Sequence, residues 1–291
     1  MKLNKSMMLT KQELTKGERN SPWFSVFIAL VILLVGSTIP VVIAGFLSID
    51  LSKEANELLF TMLGFPIVLL ILLLVNKYYY KKTVSSLGFF YENTFKKYMY
   101  GIVLGFSALL FIYMINVVLS SVSTIINKDN NLFVIIVVLL GFLVQGLTEE
   151  VLTRGFIMTI FSSQKGVTWG IVVNSIFFAV IHSANPGLKP LAMINLLIFG
   201  IVFSLLFYWS DNIWLTGAAH SMWNFTMGSI LGVGVSGQKL LHSLFITTSY
   251  PEKTVINGGE FGFEGGIVAT LFGIASCVIL WSLCRKNKLI D

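Results

Sequence analysis

Glu149 and Glu150 stand side by side, with Arg154 four residues further on, inside a stretch that is otherwise apolar. Each ionisable side chain costs roughly 2.5–3.5 kcal/mol at the centre of a membrane helix, so three together must either pair or have a task. On a helix Glu150 and Arg154 are i,i+4 neighbours with the acid on the N-terminal side, the favoured order for an ion pair. Glu149 lies about 100° round the helix from Glu150 and about 140° from Arg154, so the arginine is poorly placed to neutralise it as well. A carboxylate left over in this way has the chemistry of a general base, able to take a proton from water.

Other polar side chains recur inside apolar runs: Asn116, Gln145, Asn174, His182, Asn195, His220 and Asn224. His182 follows Phe178 by four residues, so the two rings share a helix face. It also precedes Ser183, Asn185, Pro186 and Gly187, and a histidine at a helix end can simply reach the interface. His220 and Asn224 repeat the i,i+4 spacing, either as part of a site or as a hydrogen-bonding clamp between helices. His242, the remaining histidine, falls in a loop.

The elements that must position these residues are membrane helices. The chain has 291 residues, of which 55% are hydrophobic and only 12% charged, and its mean hydropathy is +0.83. That composition describes an all-α, polytopic membrane bundle. Apolar runs of membrane length predict about eight transmembrane helices, near 23–47, 58–76, 98–120, 132–160, 168–183, 190–208, 213–231 and 265–283. The first run is too long, and too lacking in a small-residue cleavage site, for a signal peptide. The net charge of +6 sits at helix ends and sets topology, which argues against nucleic acid as a partner and makes the lipid bilayer the surroundings. With the N-terminus inside, basic residues such as Lys16, Arg19, Lys77, Lys81, Lys82, Lys165 and Arg285 fall in the cytoplasm. Only Lys53, Lys128, Lys189, Lys239 and Lys253 fall outside, so both termini are expected to be cytoplasmic. Trp23, Tyr78, Trp169, Trp209 and Trp281 suit an interfacial belt, and Cys277 and Cys284 share one helix face as packing residues.

This organisation divides the chain into a polar tail at 1–22, helices one to three at 23–131, motif-bearing helices at 132–231, an external loop at 232–264, and a last helix with a basic tail at 265–291. The external loop ends in a glycine-rich run, Gly258 to Gly266, read as tight turns, with a lid over a site as the sharper option. Helices four and five form a hairpin turning near Lys165. Glu149 and His182 are each about 25 Å from that turn, at nearly the same height; His220 sits about nine residues after its own turn, which places it shallower unless the helices are tilted, staggered or broken, so spacing leaves its height open.

Glu149-Glu150-Val151-Leu152-Thr153-Arg154, Phe178-Ala179-Val180-Ile181-His182 and His220-Ser221-Met222-Trp223-Asn224 resemble, in order, the EExxxR, FxxxH and HxxxN motifs of the CAAX protease and bacteriocin-processing family, also called CPBP or Abi. The resemblance covers about 132–231. It implies an eight-helix intramembrane endopeptidase acting on a membrane-associated peptide or protein. By position, Glu149 would activate water and His182 would assist it or bind the oxyanion. His220 and Asn224 would polarise the scissile carbonyl, Glu150 and Arg154 would orient the site, and Phe178 would pack against it. Metal-free glutamate catalysis is the preferred reading; with a metal, Glu149, His182 and His220 would make a His₂Glu zinc set. A composition rich in Ile, Asn and Lys points to a Gram-positive bacterium, its plasma membrane, and peptide maturation or bacteriocin self-immunity. A proton-coupled transporter would be expected to show inverted repeats, and none is evident; a non-catalytic immunity scaffold would have no need of every motif residue.

Overall fold

The computed structural model describes residues 1–14, 21–50, 54–240 and 242–290, with the backbone alone at 54–61. Lys16, Arg19 and Lys53 of the topology argument lie outside the described residues.

The chain is a helical bundle. A short helix α1 (Lys5–Leu14) precedes α2 (Pro22–Phe46) and α3 (Glu54–Leu74), which runs on as a π-helical turn at Val75–Tyr79. Next come α4 (Thr94–Val118), strand β1 (Val122–Ile126) and α5 (Leu132–Glu150). The helix of α5 continues without a break through a π-helical stretch, Val151–Met158, into α6 (Thr159–Lys165). After α7 (Val167–Ile181) and α8 (Pro190–Ser210), α9 (Ile213–Phe225) also ends in a π-helical turn, Thr226–Ile230. Strand β2 (Phe245–Ser249), a single turn α10 (Thr254–Asn257) and α11 (Ile267–Lys286) complete the described elements.

Each of the eight apolar runs forms a helix, and six of these helical segments are long and apolar enough to cross a membrane. The other two, α7 and α9, have only 15 and 13 residues before they end or widen. At 1.5 Å per residue they are shorter than a hydrocarbon core of about 30 Å. They are also the helices that carry His182, His220 and Asn224. α9 is buried on nearly every side, wedged between α4 and α5.

Small residues allow that burial. A side chain at Gly105 would lie 2.0 Å from the carbonyl oxygen of Ala219, and one at Gly146 would lie 2.5 Å from the backbone nitrogen of Ser221. Only glycine lets α4 and α5 approach α9 this closely, the packing mode expected where lipid gives helices no hydrophobic reason to associate.

Two features depart from the sequence reading. Residues 5–14 are a helix docked on the bundle: Met7 is fully buried, Thr10 donates to the carbonyl of Ser86 at 3.2 Å, and Ser6 Oγ donates to Asp211 at 2.6 Å. Strands β1 and β2 pair antiparallel, with Val122 opposite Ser249, joining the loop before α5 to the long loop before α11. A pairing across that many residues leaves no local periodicity to detect.

Candidate active site

Glu149 and Glu150 are the last two residues of α5, and Arg154 lies in the π-helical stretch that follows. Such i→i+5 stretches occur mostly as local widenings at functional sites. Across it the Arg154 guanidinium still reaches Glu150 Oε1, at 2.8 Å, and both side chains are completely buried. Arg154 also donates to Thr153 Oγ1 at 2.9 Å and to the Gly200 carbonyl of α8 at 3.1 Å. Its guanidinium lies 4.9 Å from the Phe178 ring centre and 5.6 Å from that of Phe203. Glu150 is thus paired, as its spacing predicts, and a charge pair wrapped in aromatic faces fixes the turn that follows Glu149.

Glu150 Oε1 also meets His220 Nδ1 at 3.0 Å. The carboxylate can only accept here, so Nδ1 carries the proton and Nε2 points away. At His182, the residue that ends α7, Nδ1 lies 2.8 Å from the Phe178 carbonyl, which again can only accept. Both imidazoles therefore turn Nε2 toward one atom, Glu149 Oε2, at 3.8 Å from His182 and 3.7 Å from His220. The other oxygen, Glu149 Oε1, accepts from Gln145 Nε2 at 3.1 Å, one helical turn earlier. Oε2 is buried and has no hydrogen-bond partner among the described residues. Three lone-pair atoms thus face one another with no donor among them while both rings are neutral, which calls for a proton, a water or a cation between them.

Phe178 packs beneath this cluster, its ring 4.6 Å from that of His182 and 6.0 Å from that of His220. Asn224 lies one turn beyond His220 on α9; it is buried and makes no hydrogen bond among the described residues. A cavity of ≈ 20 Å³, room for about one water, adjoins His220 and is lined by Phe178, Leu196, Phe199, Phe203, Trp223 and Glu264.

The site residues read from the sequence therefore converge. Glu149, Glu150, Arg154, Phe178, His182 and His220 are in direct contact, with Asn224 adjacent. His220 Nε2 lies 3.7 Å from Glu149 Oε2, so the two side chains meet, a point that the spacing left open. The start of α9 is packed inside the bundle: Asn212 and Ile213 are fully buried, and the Ile213 amide donates to Gly88 O at 3.0 Å. Two contributors had no role in the sequence reading. Gln145 stood among the polar residues of the apolar runs, and its place four residues before Glu149 could have marked it. Glu264 comes from the glycine-rich run and had no local signal.

A zinc ion is a fair test of the cluster. Nε2, Nε2 and Oε2 are the donor types of a His₂Glu site. Ligands on one tetrahedral zinc sit about 3.3–3.4 Å apart, whereas both Nε2 atoms lie 3.7–3.8 Å from Glu149 Oε2. The donor types suit zinc, but among the described residues no group of three or more His, Cys, Asp and Glu side chains is arranged to hold a metal ion.

Residues 131–226 match the family model described as type II CAAX prenyl endopeptidase, Rce1-like. The match takes in all three motifs, from Glu149 to Asn224, and agrees with the family read from them. No curated protein and no solved structure matches the chain.

Proposed function

From the family match over the motif-bearing helices, we propose that this multi-pass membrane protein is an endopeptidase that cuts a membrane-associated peptide or protein with water activated by Glu149. The observation that carries this reading is that Glu149 Oε2, without a hydrogen-bond partner among the described residues, lies between two imidazole Nε2 atoms. A water there donates one proton to Glu149 Oε2 and its other to an imidazole Nε2, leaving an oxygen lone pair for the scissile carbonyl. Glu149 takes the proton as the water attacks, while Gln145 holds the spectator oxygen in place. The Asn224 amide, with no partner of its own, donates to the oxyanion. In its doubly protonated form His220 keeps Nδ1–H on Glu150 and offers Nε2–H to the same oxygen, and the proton that Glu149 took from water passes through His182 Nε2 to the leaving amine, which returns Glu149 to its carboxylate. Glu150 and Arg154 hold this frame and stay out of the proton transfer.

If zinc is resident, Glu149, His182 and His220 would hold it, and it would supply a lowered water pKa and polarisation of the carbonyl. Metal-free catalysis is the preferred form. The cell setting follows the sequence reading: a bacterial plasma membrane, with a peptide precursor or bacteriocin as substrate.

The test is to reconstitute wild type, Glu149→Ala and His182→Ala in liposomes with a mixture of membrane-anchored peptides, and to read new peptide termini by mass spectrometry. Termini that appear with wild type and vanish with both variants support the proposal. If all three proteins give the same pattern, the protease reading fails, and a binding or immunity role is the better account.

A further inference from the structure

The glycine-rich run Gly258–Gly266 forms tight turns, with positive φ at Gly258, Gly259 and Gly262, and it is wired into the bundle on several sides. Asn195 of α8 donates to the carbonyls of Glu264 and Gly266, at 2.6 and 2.9 Å, and Thr270 of α11 donates to Asn195 Oδ1 at 2.7 Å. The Gly237 amide donates to Phe261 O at 3.0 Å, and Asn185, three residues after His182, donates to Ser236 O at 3.0 Å. The run, the 232–238 segment and the turn after His182 thus form one wall beside the site.

The Glu264 side chain ties this wall to α9, the helix of His220 and Asn224. Its Oε1 accepts from Trp223 Nε1 at 2.8 Å, and its Oε2 accepts from the Ser236 amide at 3.1 Å and from Ser236 Oγ at 2.7 Å. Trp223 is buried against Phe199, 4.9 Å between ring centres, and a buried indole N–H needs an acceptor. Glu264 and Trp223 both line the cavity that adjoins His220. Glu264 lies outside the three motifs, and Trp223 is one of the unspecified positions between His220 and Asn224.

We infer that Glu264 is a positioning residue that latches this wall onto α9 through Trp223, closing the cavity beside His220 and keeping water out of it except as one bound molecule. A carboxylate suits the task because it accepts at both oxygens at once, from donors on two separate segments. A glutamine offers one acceptor and must lose either Trp223 or the Ser236 amide. The inference rests on His220 belonging to the site, yet it concerns closure of the site and can be tested without substrate.

The test is the rate at which diethyl pyrocarbonate modifies each histidine in the purified full-length protein, followed by mass spectrometry. Among three histidines, His220 is the most enclosed, His182 is partly open and His242 lies in the loop. Glu264→Gln, Glu264→Ala and Trp223→Phe should each speed modification of His220 by about tenfold, the scale expected on losing one charge-assisted hydrogen bond. His242 should be unchanged, and the Trp223→Phe and Glu264→Ala effects should not add. An unchanged His220 rate in Glu264→Gln and Trp223→Phe overturns the inference. Equal acceleration of all three histidines overturns it too, since that marks a general loosening. Because no cleavage is measured, a failure of the protease reading and a failure of the latch are separate results.

Discussion

At Glu149 a free carboxylate oxygen lies 3.7 and 3.8 Å from two imidazole nitrogens, while at Glu150 an oxygen is shared by Arg154 and His220. The two residues should therefore fail in different ways. Glu150→Gln leaves Arg154 buried without its counter-charge, and breaking one half of a buried pair costs about 3–5 kcal/mol. A clear drop in thermal midpoint in detergent is the expected outcome. Asn224→Ala removes no side-chain hydrogen bond among the described residues, so its thermal midpoint should stay close to wild type. Its turnover should fall by about 10²–10³, the usual cost of one oxyanion donor. Equal losses of stability in both variants would mean that Asn224 is a scaffold residue and that the oxyanion assignment is wrong.

The site depends on how closely α5 and α9 approach, because one presents the carboxylates and the other His220. Gly146 sets that distance, since any side chain there meets the Ser221 backbone. Gly146→Ala should push the helices apart, lowering stability by about 1–3 kcal/mol as overpacking does, and should cut turnover by separating Glu150 from His220. Gly45→Ala is the matched control: nothing lies within 4 Å of a side chain there, so stability should hold or rise slightly. If turnover survives in Gly146→Ala, the α5–α9 spacing is not what aligns the cluster. Legibility in the sequence also varied by element. The Glu150–Arg154 pair was readable because i,i+4 geometry is local and survives even the π-helical stretch. The β1–β2 pairing and the role of Glu264 were not, because each joins segments that share no periodicity.

For the bundle as a whole, a further buried charge lies away from the site and has no hydrogen-bond partner among the described residues. Lys82, fully enclosed near the rings of Tyr80 and Phe156, has an Nζ without a hydrogen bond. Burial pushes its pKa down to about 7, with Glu13 offsetting part of that effect. The unfolded chain keeps Lys82 protonated up to about 10.5, so between pH 7 and that value it binds the extra proton. Stability from this residue should then rise with pH across that window, and the penalty should be fully present below pH 7. Thermal unfolding in detergent from pH 6 to 9.5 tests this, with Lys82→Met expected to flatten the trend. An identical slope in the variant would assign the pH dependence elsewhere.

The sequence by itself determined the class of molecule, the helices, the Glu150–Arg154 pair and the resemblance to the family whose model matches residues 131–226. These follow from composition, from apolar run length and from spacings of four residues, all of which are local quantities. Only the tertiary structure decided that His220 meets Glu149, that both imidazoles face the same oxygen, and that Glu264 closes the cavity beside them. Those outcomes depend on how α9 packs between α4 and α5. They depend as well on glycines that let three helices pack backbone to backbone. Helix height and contact between distant segments are properties of packing, and no periodicity along one chain encodes them.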